Sequence, residues 1–150
     1  MLNFDDKKFE EKTLAREEIF SGKIFHVVKD VVSLHDGQES FRELVFHKGG
    51  TAIAPVHNNK MILVGQYRKA LEKFIFEIPA GKLEKGEEKD PKAAALRELE
   101  EETGYLAQDL TEITAFYGTP GFSSEKTYVY FSSNLTKVEH PKPADDGEFL

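Results

Sequence analysis

The segment DPKAAALRELEEETG, residues 90–104, constrains this chain more than any other. Asp90 suits an N-cap, because its side-chain oxygen can accept from an orphan N–H of the first turn. Pro91 suits the first helical position, where no N–H is required. Gly104 is a natural stop, because it takes the left-handed conformation at little cost. Strand-like segments lie on both sides of this helix. One strong helix among many strands points to an α+β domain with a mixed sheet.

Upstream, KIFHVVKDVVSL and SFRELVFHK read as strands joined at HDGQ. TAIAPV reads as a buried strand, HNNK as a turn and MILVGQYR as its partner. FIFEIPAG is another strand, closed by Pro79 and Gly81, and KLEKGEEK is a Gly- and charge-rich loop. After the helix, LTEITAFYG and TYVYFSSNL read as strands with the loop TPGFSSEK between them. The charged first dozen residues are expected to be frayed or helical. The polar tail ends as EFL would begin a further strand, which suggests a C-terminally truncated chain.

The helix carries Glu98, Glu100, Glu101 and Glu102 on its last turns. With Glu98 at zero, Glu102 falls at about 40° and Glu101 at about −60°, so these three share one face. Glu100 points to the far side, and Leu99 and Ala95 form a flank that can pack on the sheet. Like charges at i,i+3 and i,i+4 repel by about 0.2–0.5 kcal/mol per pair. The helix C-terminus disfavours each anion by roughly 0.3–1 kcal/mol more. A divalent cation on that face would offset both costs, and clustered carboxylates suit hard ions such as Mg²⁺ or Mn²⁺. The competing reading is a solvated acidic face on which Arg97 bonds locally to Glu100 or Glu101.

Composition narrows the partners. A net charge of −7 argues against a nucleic-acid or membrane-surface binder, yet a bound cation can invert the local field for a small anion. With no Cys there is no thiolate nucleophile, disulfide or Cys-ligated zinc. The start lacks a signal-like apolar stretch, which leads to the expectation of a cytoplasmic protein. The five His form no spaced ligand set; His47 and His57 read as surface or strand residues.

Taken whole, GKLEKGEEKDPKAAALRELEEETGY, residues 81–105, resembles the Nudix box. Gly81 opens it, and Arg97 to Tyr105 match its closing half at every position. One departure stands out: nine residues separate Glu87 from Arg97 where the pattern has seven, so the loop Glu is either Glu87 or Glu88. EIPAGKLE, GQYRKALEK and TPGF are similar to the ADP-ribose pyrophosphatase branch, and the likeness covers roughly residues 15–150.

The resemblance implies a Nudix fold, a mixed sheet sandwiched by helices, with an extra N-terminal antiparallel sheet and the C-terminal helix absent. Residues 1–50 would serve dimerisation and substrate binding, and residues 51–150 catalysis. It implies metal-dependent cleavage of ADP-ribose to AMP and ribose 5-phosphate by a homodimer. Glu98, Glu101, Glu102 and the Ala80 carbonyl would hold Mg²⁺ or Mn²⁺, with Arg97 orienting a carboxylate. In ADDGEFL, Glu148 is the first candidate for the base and Asp146 the second; the alternative is a solvated acidic terminus. Arg42 and Arg68 are candidates for phosphate or ribose contacts, or else they form cross-strand ion pairs. Phe25 would stack on adenine unless it is a core aromatic, and Pro120 marks the branch unless it is an ordinary turn residue. Two other functions compete: hydrolysis of another nucleoside diphosphate sugar, and a Nudix-fold sensor that binds ADP-ribose without cleaving it.

Overall fold

The computed structural model describes residues 6–139 and 148–149. The chain divides into two compact units, one holding the described residues up to His47 with Tyr117–Glu125, the other Lys48–Phe116 and the described residues from Lys126 onward. No helix of the described residues is long and apolar enough to cross a membrane.

The first unit is an antiparallel sheet of β1 (Lys12–Ser21), β2 (Phe25–Ser33) and β3 (Glu39–His47), with β2 central. A short 3-10 turn, Asp6–Phe9, precedes it. β2 buries Val28, Asp30 and Val32, alternate residues of one face, as strand geometry requires. Asp30 is buried with its charge matched: Arg16 donates to both of its oxygens at 2.7 Å, and Thr13 to one of them at 3.2 Å. The charged beginning therefore gives way at Lys12 to a ten-residue strand that the sequence reading did not assign. Every residue of β1 is exposed, so burial left no alternation in its sequence to read. The segment Tyr117–Glu125 belongs to this unit; Val45 N donates to Phe122 O at 2.7 Å, and Ser124 N to Val45 O at 2.9 Å.

The second unit is organised around β4 (Gly50–His57), most of which is buried. β5 (Lys60–Met61) returns antiparallel to it across Asn58 and Asn59, both at positive φ. Asn tolerates that left-handed backbone, so HNNK makes the tight turn its composition suggests. MILVGQYR, however, is not one strand. Its first part pairs with β4, and β6 (Val64–Arg68) leaves for another sheet.

FIFEIPAG divides in the same way. β7 (Lys73–Glu77) pairs with β6, and after Pro79 the chain enters β8 (Ala80–Lys82), antiparallel to β4. Helix α1 (Pro91–Thr103) follows, then β9 (Tyr105–Ala107) and β10 (Thr111–Tyr117). β11 (Lys126–Ser132) pairs parallel to β4, with Tyr130 opposite Ile53, which makes the sheet mixed. TYVYFSSNL also breaks: β12 (Leu135–Lys137) pairs with β9 instead. EFL does contain a strand, β13 (Glu148–Phe149), antiparallel to β6.

The core of this unit is Ile53, Ala95, Leu99, Tyr130 and Leu135, where the helix flank meets the sheet. α1 is the one α-helix among the described residues. The architecture is α+β.

Candidate active site

Both ends of α1 form as their residues dictate. Asp90 Oδ1 accepts from Ala93 N at 3.1 Å. Gly104, at φ 68°, closes the other end by donating its N–H to Glu100 O at 2.8 Å. Burying Ala94, Ala95 and Leu99 fixes the helix rotation, and that rotation decides where each carboxylate goes.

Glu102 is turned inward and is only 7% exposed. The N–H of Ala80 donates to Glu102 Oε2 at 2.9 Å. Glu98 lies against the next residue of β8, since a Cβ on Gly81 would stand 2.0 Å from the Glu98 carboxyl carbon. The pairing of β8 with β4 (Ala80 opposite Ala52, Gly81 opposite Thr51) thus holds a two-residue shelf against the acidic face. Of the three carboxylates that share this helix face, Glu102 is the buried one. Its neighbours on β8 bury it, because that strand lies alongside the last turn of α1.

Arg97 gathers the remaining acids. Its Nη1 lies 2.8 Å from Glu98 Oε1 and 2.8 Å from Glu101 Oε2. Its other edge takes Glu87 in a two-point grip, Nε to Oε1 at 3.0 Å and Nη2 to Oε2 at 3.1 Å. All four side chains are largely covered. The Arg97 hydrogen bond holds the Glu87 carboxyl below the usual carboxylate range against the opposing effect of burial. The Arg97 guanidinium is correspondingly stabilised in its charged form, first by Glu87.

This geometry separates the two candidates for the loop acid. Glu87 begins the 3-10 turn Glu87–Lys89 and also accepts from Glu84 N at 2.8 Å. Glu88 instead turns back to Gly86 N at 2.8 Å. The longer loop lies wholly before α1 and leaves the helix register untouched.

As they stand, no three His, Asp or Glu side chains among the described residues are gathered closely enough to hold a metal ion. The positive charge of Arg97 sits among the acids instead. The donor chemistry nevertheless fits a hard divalent cation: Glu98 and Glu101 already turn oxygens toward one cationic nitrogen, with Glu102 on the adjoining shelf.

The other candidates lie elsewhere. Arg68 on β6 donates through Nε to both Glu77 oxygens, at 3.0 and 3.1 Å, with Nη2 also on Glu77. Arg42 on β3 grips Glu11 at 2.8 and 2.5 Å. Phe25 begins β2, 40% exposed, beside Phe20 with ring centroids 5.8 Å apart. Pro120 is exposed in a turn. Glu148 lies on β13 opposite Gln66, and Asp146 falls outside the described residues. His47 lies 3.7 Å from Glu125, and the His57 ring packs against Tyr105.

Sequence reasoning missed the intimacy of Gly81 with Glu98 and the grip of Glu87 on Arg97. The motif names all four residues, but its spacing does not say which of them touch.

Comparison with known proteins adds to this geometry. The family model described as NUDIX domain matches residues 47–150. The chain is 51% identical over 145 residues to a Bacillus subtilis protein named ADP-ribose pyrophosphatase, covering 96% of this chain and 77% of that one. It is 49% identical over 145 residues, with the same coverage, to a Bacillus methanolicus protein named methanol dehydrogenase activator. Among solved structures, one described as an ADP compounds hydrolase superposes with a TM-score of 0.76 at 22% identity, covering 93% of this chain and 78% of that one. That likeness concerns the fold alone.

Proposed function

The chain belongs to the Nudix family, and from that membership we propose that it hydrolyses the diphosphate of ADP-ribose to AMP and ribose 5-phosphate. In this reaction water adds to one phosphorus and the bridging P–O bond breaks. Two monophosphates leave, and the proton of the water passes to a base. The chain's 51% identity to the Bacillus subtilis ADP-ribose pyrophosphatase supports the substrate. The observation that carries the chemistry is the convergence of Glu98 and Glu101 on Arg97 Nη1, at 2.8 Å each, beside the buried Glu102.

Glu98, Glu101, Glu102 and the carbonyl of Ala80 are the proposed holders of a divalent cation, with Mg²⁺ or Mn²⁺ the ions that best suit such oxygen donors. When bound, that cation supplies charge neutralisation on the diphosphate and a water of lowered pKa. Arg97 orients Glu98 and Glu101, and the Ala80 N–H orients Glu102. Glu148, or alternatively Asp146, is the proposed base that accepts the water's proton. Arg68 and Arg42 are proposed to meet phosphate or ribose oxygens by exchanging Glu77 and Glu11 for substrate. Phe25 is the proposed adenine platform, and Pro120 is a further proposed substrate-binding residue.

A homodimer formed through the N-terminal unit completes the proposal. β1 and β3 leave Leu14, Ile19, Phe20 and Phe41 exposed, apolar side chains that a second copy could cover.

The test is hydrolysis of ADP-ribose by the full chain with and without Mg²⁺, with chromatography of the products and a parallel panel of nucleoside diphosphate sugars. Metal-dependent release of AMP and ribose 5-phosphate is expected. Slow turnover of ADP-ribose beside rapid cleavage of another sugar would sink the substrate assignment. No metal-dependent cleavage at all would favour a binding protein.

A further inference from the structure

We propose that Arg97 is the resident counter-cation of the acidic face, and that Glu87 is the positioning residue that keeps it from competing fully with an entering divalent cation. This inference rests on the assignment of Glu98, Glu101 and Glu102 as metal ligands.

The guanidinium divides its contacts unevenly. One edge, Nε and Nη2, makes the two-point grip on Glu87. The remaining nitrogen, Nη1, is shared by Glu98 and Glu101. Parallel two-point bonds between a planar fork and a carboxylate are the stronger and more directional of these arrangements. The Nη1 contacts can therefore be given up while the Glu87 edge stays in place. Glu87 is itself fixed by the N–H of Glu84 at 2.8 Å, so the loop supplies a firm anchor.

The electrostatics give this division a purpose. Glu98 is 14% exposed and Glu101 24%, and carboxylates so covered are costly without a partner. Arg97 provides that partner in the cation-free protein. A divalent cation would compete with it for the same oxygens, so each weakens the hold of the other. Glu87 draws the fork toward the loop. Without that anchor all of the guanidinium's donors would be available to Glu98 and Glu101, and the entering ion would meet a stronger competitor.

The two residues thus act with opposite signs on cation affinity. The experiment is Mn²⁺ binding to the full chain without substrate, by titration calorimetry, together with thermal melting in chelator and in saturating Mn²⁺. We expect Glu87→Gln to weaken Mn²⁺ binding about tenfold, the scale of a residue acting through a ligand's neighbour. Glu88→Gln removes the same charge one residue away but leaves Arg97 gripped, and should change affinity by less than about twofold if the grip matters more than the net charge. Arg97→Gln should bind Mn²⁺ more tightly than wild type, melt lower in chelator, and recover toward wild type when loaded. If Arg97→Gln does not fold, Arg97→Lys, which keeps the charge but loses the fork, should show the same directions with smaller shifts.

Weaker Mn²⁺ binding by Arg97→Gln, or by Arg97→Lys in its place, overturns the proposal. So do equal effects of Glu87→Gln and Glu88→Gln. If the folded wild type binds no Mn²⁺ and neither do the variants, the metal-ligand assignment itself falls, and this proposal with it.

Discussion

The carboxylate of Glu98 occupies the space that a Cβ on Gly81 would need: the ideal Cβ position is 2.0 Å from Glu98 Cδ and 2.0 Å from its Oε1. The overlap is with the far end of a flexible side chain rather than with backbone. Gly81→Ala should therefore cost little stability, because Glu98 can swing aside. Activity should suffer more, since displacement of a reacting group by about 1 Å can cost on the order of 100-fold in rate. Steady-state kinetics beside a melting curve checks this. A variant that loses stability but keeps its rate would contradict it.

Glu102→Gln tests the buried carboxylate. The amide oxygen can still accept from Ala80 N–H, so the local hydrogen bond of 2.9 Å is replaceable. The negative charge is not. Hydrolysis of ADP-ribose should fall by at least about 100-fold, the upper end of effects seen when a group merely supports a metal ligand, while the far-ultraviolet spectrum stays native. Chelation of divalent cations should silence the wild type to a similar degree.

Asp30 should shape the acid side of the stability profile. The Arg16 hydrogen bond is the main cause of its depressed pKa; burial opposes it, and the charge of Arg16 and the Thr13 hydroxyl assist. A carboxyl whose folded pKa lies below its unfolded value stabilises the fold fully above that unfolded value. The contribution disappears as pH falls from near the ordinary 3.8 through the lower folded value. Asp30→Asn should lower stability at neutral pH and flatten the decline below pH about 4. Denaturant unfolding at a series of pH values measures both.

Leu99→Ala should be the most damaging single change in the helix. Leu99 has no exposed surface and packs with Ile53, Ala95, Tyr130 and Leu135. Truncation of such a buried leucine costs about 2–5 kcal/mol. Leu96→Ala, at a half-exposed position on the same helix, should cost distinctly less. Equal losses in urea unfolding would mean that the helix rotation is not the one described.

The helix and its chemistry were legible in the sequence because they depend on local rules. Asp90, Pro91 and Gly104 set the ends of α1 through capping geometry, and the angular spacing of Glu98, Glu101 and Glu102 follows from 3.6 residues per turn. Neither requires knowledge of a distant partner. β1 was illegible for a related reason: its ten residues are all exposed, so no buried face imposed a period of two on them. MILVGQYR and FIFEIPAG looked like single strands because an apolar run records burial and says nothing about which neighbour does the burying. β5 pairs with β4 but β6 pairs with β7, and β8 returns to β4.

What the sequence determined by itself was the family, the capped helix and the set of acids on one helix face. Each is written in contiguous residues at fixed spacing. Only the tertiary structure decided that Glu102 is buried on the Ala80 N–H, that Glu98 presses on Gly81, and that Glu87 rather than Glu88 grips Arg97. Those three contacts need β8 laid against β4 and the 3-10 turn folded back on α1. Pairings between segments far apart in the chain are fixed by the competition for buried surface and hydrogen-bond partners across the whole unit, which no local spacing encodes.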